Sequence, residues 1–115
     1  MKKLGIIGGL GPETTANFYR EVILSCSKAN IKHRPSILIA NVPIGFKLEK
    51  NFINHSQGKK QLLGLLIKAA ISLERGGADF IVIPCNTVHI FIDEVRKAVN
   101  IPVLSIIEET VTFLQ

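Results

Sequence analysis

A chain of 115 residues, 47% hydrophobic and 20% charged, is long enough for one globular domain with a substantial core, and it has none of the bias of a disordered or low-complexity segment. Its formal net charge of +5 comes from scattered cations, among them Lys2, Lys3, Lys28, Lys32, Arg34, Lys47, Lys50, Lys59, Lys60 and Lys68. Few aromatics lie between them, which argues against a nucleic-acid surface and for a solvated basic exterior able to attract a carboxylate.

Two cysteines make no disulfide framework and fit a reducing cytoplasm. The apolar part of the opening ten residues is short and broken by glycines, then followed by Pro12 and Glu13, so it is not read as a signal peptide. The longest helical apolar stretch, Leu62–Leu73, contains Lys68 and is too short to span a bilayer.

Lys3–Gly8 predicts a first strand, apolar enough to lie inside a parallel sheet. Gly8–Glu13 predicts a tight glycine turn, with Pro12 suited to a helix's first turn, where its missing N–H costs nothing. A helix over Thr14–Ser27 follows, with Phe18, Val22 and Ser25-Cys26 on one face and Tyr19 and Ile23 on another. Cys26, among Val22, Ile23 and Ala29, reads as core packing. Gly9-Leu10-Gly11 begins a G-x-G pattern, but Thr14 stands where a dinucleotide fingerprint has its third glycine, and no Gly-Lys-Ser/Thr follows for a phosphate loop. What the turn retains is backbone N–H groups at a helix start, able to bind a carboxylate as well as a phosphate.

Lys28–Arg34 is a polar connection, and Pro35–Val42 a second buried strand. Pro43 to Ser56 is expected to be a long loop with a short helical turn near Leu48–Ile53, and Lys47 and Lys50 are its cations. Gln57–Arg75 is the longest helix. Leu62, Leu63, Leu66, Ile67, Ala70 and Leu73 give the stripe of a core-facing surface, and Gly76-Gly77 end it. Asp79–Ile83 is a third strand, running into Pro84-Cys85-Asn86-Thr87-Val88-His89, and an amphipathic helix from Ile90 stops near Asn100. Ile101–Ile106 is a short fourth strand. Ile107–Gln115 begins another helical pattern, with Glu108 and Glu109 in its first turn, and then the chain stops, as at a truncation or the boundary of a second half.

Strands alternating with helices imply an α/β fold: a flavodoxin-like parallel sheet of strand order 2-1-3-4 with helices on both faces. Strands 1 and 3 then flank the point where the winding reverses, and ligands bind in the crevice outside the carboxyl ends there. The Gly8–Pro12 turn, the Cys85–Thr87 turn and the segment carrying Lys47 converge on that crevice. Cys85 falls at the carboxyl end of a strand and the amino end of a helix, where unpaired N–H groups stabilise a thiolate. From placement alone, a half-buried structural cysteine remains the other reading. His89, in the helix's first turn, either assists Cys85, binds substrate or plays a structural part. His33 and His55 show no metal-ligand spacing with the cysteines.

Gly8-Gly9-Leu10-Gly11-Pro12, Pro84-Cys85-Asn86-Thr87-Val88-His89, and Ile101-Pro102-Val103 with Ile107-Glu108-Glu109-Thr110 resemble, in this order and over the whole chain, the aspartate/glutamate racemase family, and aspartate racemases most closely. The resemblance implies amino-acid racemisation without pyridoxal phosphate or any other cofactor. In the family, two cysteines from two similar domains face opposite sides of the substrate α-carbon. Cys85 matches the first, Asn86 and Thr87 would bind the substrate's carboxylate or amine, and Leu10 would line the pocket where family members often carry methionine.

This chain departs from the family pattern in two further ways. The second cysteine belongs to a second domain, and Cys26, on the first helix, cannot replace it. In place of a Pro-Asp-Arg stretch stands Pro43-Ile44-Gly45-Phe46-Lys47, so Lys47 would grip a side-chain carboxylate as a point charge, leaving aspartate, glutamate or another amino acid as substrate.

Residues 1–115 are thus expected to form an amino-terminal racemase-like domain, cytoplasmic, homodimeric, acting on a small-molecule amino acid and binding neither nucleic acid nor membrane. Alone, this half is expected to show little turnover. The alternatives are a maleate isomerase or hydantoin racemase of the same superfamily, or a non-catalytic anion-binding or oligomerising domain.

Overall fold

The computed structural model describes residues 2–29, 32–55 and 57–105. Lys3–Gly8 forms β1, the strand on which the sheet is built. It pairs in parallel with β2 (Ser36–Asn41) on one side, from Lys3↔Ser36 to Gly8↔Asn41, and with β3 (Phe80–Val82) on the other, Ile6 opposite Val82. β3 in turn pairs in parallel with β4 (Val103–Leu104), giving the order 2-1-3-4 that the alternating pattern predicts.

Side chains alternate across a strand, so β1 serves two cores. Leu4 and Ile6 face α1 (Pro12–Lys28), meeting Phe18 and Val22 with Val82 beside them. Ile7 faces the opposite layer, where α3 (Lys59–Arg75) and α4 (Ile92–Ala98) bury Leu62, Leu66, Ala70, Leu73, Ile92 and Val95 with Ile81 and Ile83. The helices therefore cover both faces. The α3 stripe falls at the expected spacing, with Leu62, Leu66 and Ala70 each at most 1% exposed. Its end is a Schellman motif: Gly77 adopts a left-handed φ of 93°, Gly77 N–H donates to Glu74 O and Ala78 N–H to Leu73 O.

Several expectations need correction. The segment after β2 is not a long loop: Phe46–His55 is a ten-residue helix, α2, anchored by buried Phe52. β2 is the edge strand and only half-buried, with Ile39 46% exposed. The stretch after Cys85 begins as a 3-10 helix over Asn86–Phe91 before α4 continues it. β4 spans two residues rather than six, and α1 begins at Pro12 rather than Thr14. Cys26 is half-buried and belongs to neither core cluster. It lines a hollow with His33, Arg34 and Pro35, just before β2 begins, at the amino end of the sheet. The helical pattern expected from Ile107, with Glu108 and Glu109, lies outside the described residues.

The burial contrast gives a direct expectation. Leu66→Ala, at a position with no exposed surface, should cost about 2–5 kcal/mol. Ile53→Ala, at a position 66% exposed, should stay within about 0.5 kcal/mol. Urea unfolding of the two variants checks the difference.

Candidate active site

The register of β1 against its neighbours brings two turns to the same end of the sheet. Val42 N–H donates to Gly8 O at 2.8 Å, extending the β1–β2 ladder to the rim. Beyond it the chain turns at Gly9, whose φ of 93° suits glycine. A Cβ on Gly8 would sit 2.5 Å from Thr15 Cγ2, so the turn closes on Thr15 only because residue 8 lacks a side chain. Thr15, buried in the first turn of α1, holds the turn from inside. Its Oγ1 accepts from Gly9 N–H at 3.0 Å and donates to Gly11 O at 3.4 Å.

On the other side of β1, buried Ile83 and Pro84 lead from β3 to Cys85. Cys85 is extended (φ −153°, ψ 113°), sits at the amino end of the 3-10 helix, and donates its N–H to Ile83 O at 2.8 Å. Val88 and Phe91 on that helix point inward, while Asn86 and Thr87 stay exposed at its start. His89 reaches back to the strand. Its Nε2 donates to Ile83 O at 3.1 Å, and its Nδ1 is buried without a partner among the described residues. This histidine ties the 3-10 helix to the end of β3 and lines neither hollow beside Cys85.

Two hollows meet at Cys85. One, of about 160 Å³, is roofed by α2: Glu49, Phe52 and Ile53 line it, with Ile44 from the segment before that helix, Leu62 of α3 and Val88. The other, of about 610 Å³, lies toward α1 and is lined by Thr14, Asn17, Phe18 and Glu21 with Pro84 and Asn86. Leu10, Gly11, Cys85 and Thr87 border both. The half-buried sulfur residue is therefore part of a wall shared by an apolar cavity and a wider, more polar one. The Phe52 and Phe91 rings, 6.0 Å apart and tilted by 38°, pin α2 to the 3-10 helix and so fix the roof.

Of the residues singled out in the sequence, the structure brings together Leu10, Cys85, Asn86 and Thr87. Lys47 is exposed on the first turn of α2 and lines neither hollow. Sequence reasoning missed Glu49, Phe52 and Ile53, which share an i, i+3, i+4 face of α2. It also missed Thr15, Asn17 and Glu21 of α1. The available signal is that spacing from Glu49 to Ile53, which falls within the short helical turn expected near Leu48–Ile53. Among the described residues, no group of three histidines, cysteines or acids is placed to hold a metal ion, and no helix is long and apolar enough to cross a membrane.

A sequence profile of the Asp/Glu/hydantoin racemases matches residues 7–115. The chain belongs to that family. The broad-specificity amino-acid racemase RacX of Bacillus subtilis is 37% identical over 112 residues, 94% of this chain and 47% of that protein. The crystal structure of an aspartate racemase homologue from Pyrococcus horikoshii superposes with a TM-score of 0.75 at 35% identity, covering 94% of this chain and 46% of the other. A Yersinia pestis protein described as a candidate Asp/Glu racemase gives 0.85 at 30% identity, over 99% of this chain and 49% of its own. The chain thus spans about half the length of these relatives, and within that half its parallel sheet matches solved racemase-family structures.

Thr15→Val tests what holds the turn. It keeps the side chain's shape but removes both hydrogen bonds, so it should destabilise by about 1–3 kcal/mol through the buried Gly9 N–H left unpaired. Urea unfolding should show the loss, with faster amide exchange at Gly9.

Proposed function

We propose that this chain supplies one half of a cofactor-independent amino-acid racemase site, with Cys85 as one of two acid/base groups. The observation that carries the reading is the position of Cys85 on the wall between two hollows, at the carboxyl ends of β1 and β3. Family membership and the relatives' printed activities support racemisation as the reaction class.

In the proposed step the Cys85 thiolate takes the substrate's α-proton. The C–H bond breaks, an S–H bond forms, and the electron pair is delocalised into the substrate's carboxylate. A proton delivered from the opposite face by a second acid completes the inversion, with nothing oxidised or reduced. An α-proton is very weakly acidic, so the developing charge needs nearby donors and little water. That part is assigned to Asn86 and Thr87; in support, Thr87 borders both hollows and Asn86 the wider one. Leu10, 9% exposed, supplies an apolar wall beside the sulfur. The second acid is assigned to the part of the site that would face Cys85 across the hollow, in keeping with relatives about twice this length. The proposed setting is a cytoplasmic homodimer; both cysteines of the chain are free thiols. The expectation of aspartate or glutamate came from the family resemblance, with Lys47 as the one cation suited to a side-chain carboxylate. With Lys47 outside both hollows, the reading is carried by the α-amino-acid portion of the substrate alone.

A single acid/base leaves a distinctive trace. In heavy water the chain should exchange the α-proton of one enantiomer while optical rotation changes little, because the same thiol removes and returns the hydrogen. Cys85→Ser should slow exchange at least a hundredfold. Exchange undiminished in that variant would overturn the assignment. No exchange with any amino acid would favour a non-catalytic anion-binding domain.

A further inference from the structure

One carbonyl oxygen beyond the end of β3 receives two donors. Ile83 O accepts the Cys85 N–H at 2.8 Å and the His89 Nε2–H at 3.1 Å. The first bond spans only two residues and closes a tight turn over Pro84, so it sets the direction in which Cys85 leaves the strand. The second comes from within the 3-10 helix that Cys85 begins. A carbonyl has two lone pairs, so it can hold both donors at once.

The 3-10 helix needs such a tie. Its hydrogen bonds are poorly aligned, and runs beyond three or four residues are uncommon, yet Asn86–Phe91 spans six. The Cys85 side chain makes no capping hydrogen bond to it. Val88 and Phe91 pack inward, which holds the helix against the core but gives no fixed direction to its first residues. His89 supplies a directional bond from the helix to the strand end. Its other ring nitrogen, Nδ1, is buried without a partner among the described residues. An aliphatic side chain would fill the same space without leaving a buried nitrogen unpaired. The gain from histidine at this position therefore lies in the Nε2–H. The ring lines neither hollow, so it acts on the site through Ile83 O and the Cys85 turn.

We propose that His89 is a positioning residue for proton transfer: by sharing Ile83 O with the Cys85 N–H, it fixes the direction of the sulfur, and of Asn86 and Thr87 beside it, relative to β3. This rests on the racemase reading of Cys85 and adds to it what aims the thiol. His89 itself neither takes nor gives the α-proton.

The test compares two substitutions in the full chain carrying Cys26→Ser. His89→Gln keeps an N–H able to reach Ile83 O, and His89→Leu has none. Three quantities are read: α-proton exchange in heavy water with both enantiomers of alanine, aspartate, glutamate and lysine, alkylation of Cys85 by iodoacetamide, and amide hydrogen exchange at Cys85. His89→Leu should slow α-proton exchange about tenfold or more, because a small misplacement of a reacting group is costly. It should speed amide exchange at Cys85 by about tenfold, as local opening becomes easier. Alkylation should stay within about threefold, since a small reagent needs an accessible sulfur and not an aimed one. His89→Gln should return all three to within about threefold of the parent chain, a rescue expected of a hydrogen-bond donor. Urea midpoints confirm folding, and His89→Asn, whose shorter amide falls short of Ile83 O, replaces His89→Leu if that variant does not fold. Unchanged α-proton exchange in His89→Leu, or no rescue by His89→Gln, would overturn this inference and leave the racemase reading standing. Slower α-proton exchange with an equally large rise in alkylation would mark general loosening and overturn it as well. No α-proton exchange by the parent chain with any of these amino acids would remove both readings.

Discussion

The parallel pairing of β1 with a neighbour on each side is the constraint on which the rest depends. Because Gly8 is in register with Asn41 and Ile6 with Val82, three strand ends reach the same rim. The winding reverses between β1 and β3, so the helices leaving them depart to opposite faces and open a crevice between the two turns. A one-residue slip of β1 would exchange Leu4 and Ile6 for Gly5 and Ile7 on the α1 face, and both cores would be lost together. The glycine turn and the Cys85 turn are therefore placed by the same apolar packing that holds the sheet.

Local devices then sharpen what the register sets roughly. Thr15 bonds the glycine turn from within α1, His89 bonds the 3-10 helix to Ile83, and the Phe52–Phe91 contact seats α2 over the cavity. Each joins a part of the rim to a rigid element, so the sulfur-bearing residue, the turn at Leu10 and the roof hold fixed relative positions. Pre-organisation of this kind is what proton abstraction from a weak carbon acid requires, since donors must be in place before charge develops.

Much of this was legible in the sequence where the hydrophobic period was strong. β1, the α3 stripe and the run into Cys85 follow directly from their patterns, and the strand order follows from their alternation. Only a short turn of α2, near Leu48–Ile53, was legible, because Pro43 and Gly45 precede it and its exposed Phe46 and Ile53 blur the apolar stripe; only tertiary burial of Phe52 reveals its inner face. Without the full length of α2, its lysines draw attention and Glu49 does not, although the helix turns Glu49 toward the hollow and leaves Lys47 in solvent. Cys26 misled in a milder way: its apolar neighbours in sequence suggested a core position, but its place on the last turn of α1 sets it beside the polar connection to β2. Thr15 was invisible for a different reason, since its role depends on a glycine seven residues earlier being close in space.

The central claim is that the Cys85 sulfur meets the α-carbon of an amino acid. The most direct measurement is a crystal structure of the chain with an amino acid bound at the carboxyl rim of the sheet. The account predicts the α-carbon within about 3.5 Å of Cys85 Sγ, the approach expected of reacting atoms, with the substrate carboxylate toward Asn86 and Thr87. An amino acid seated away from the sulfur, or presenting only its side chain to it, would contradict the account.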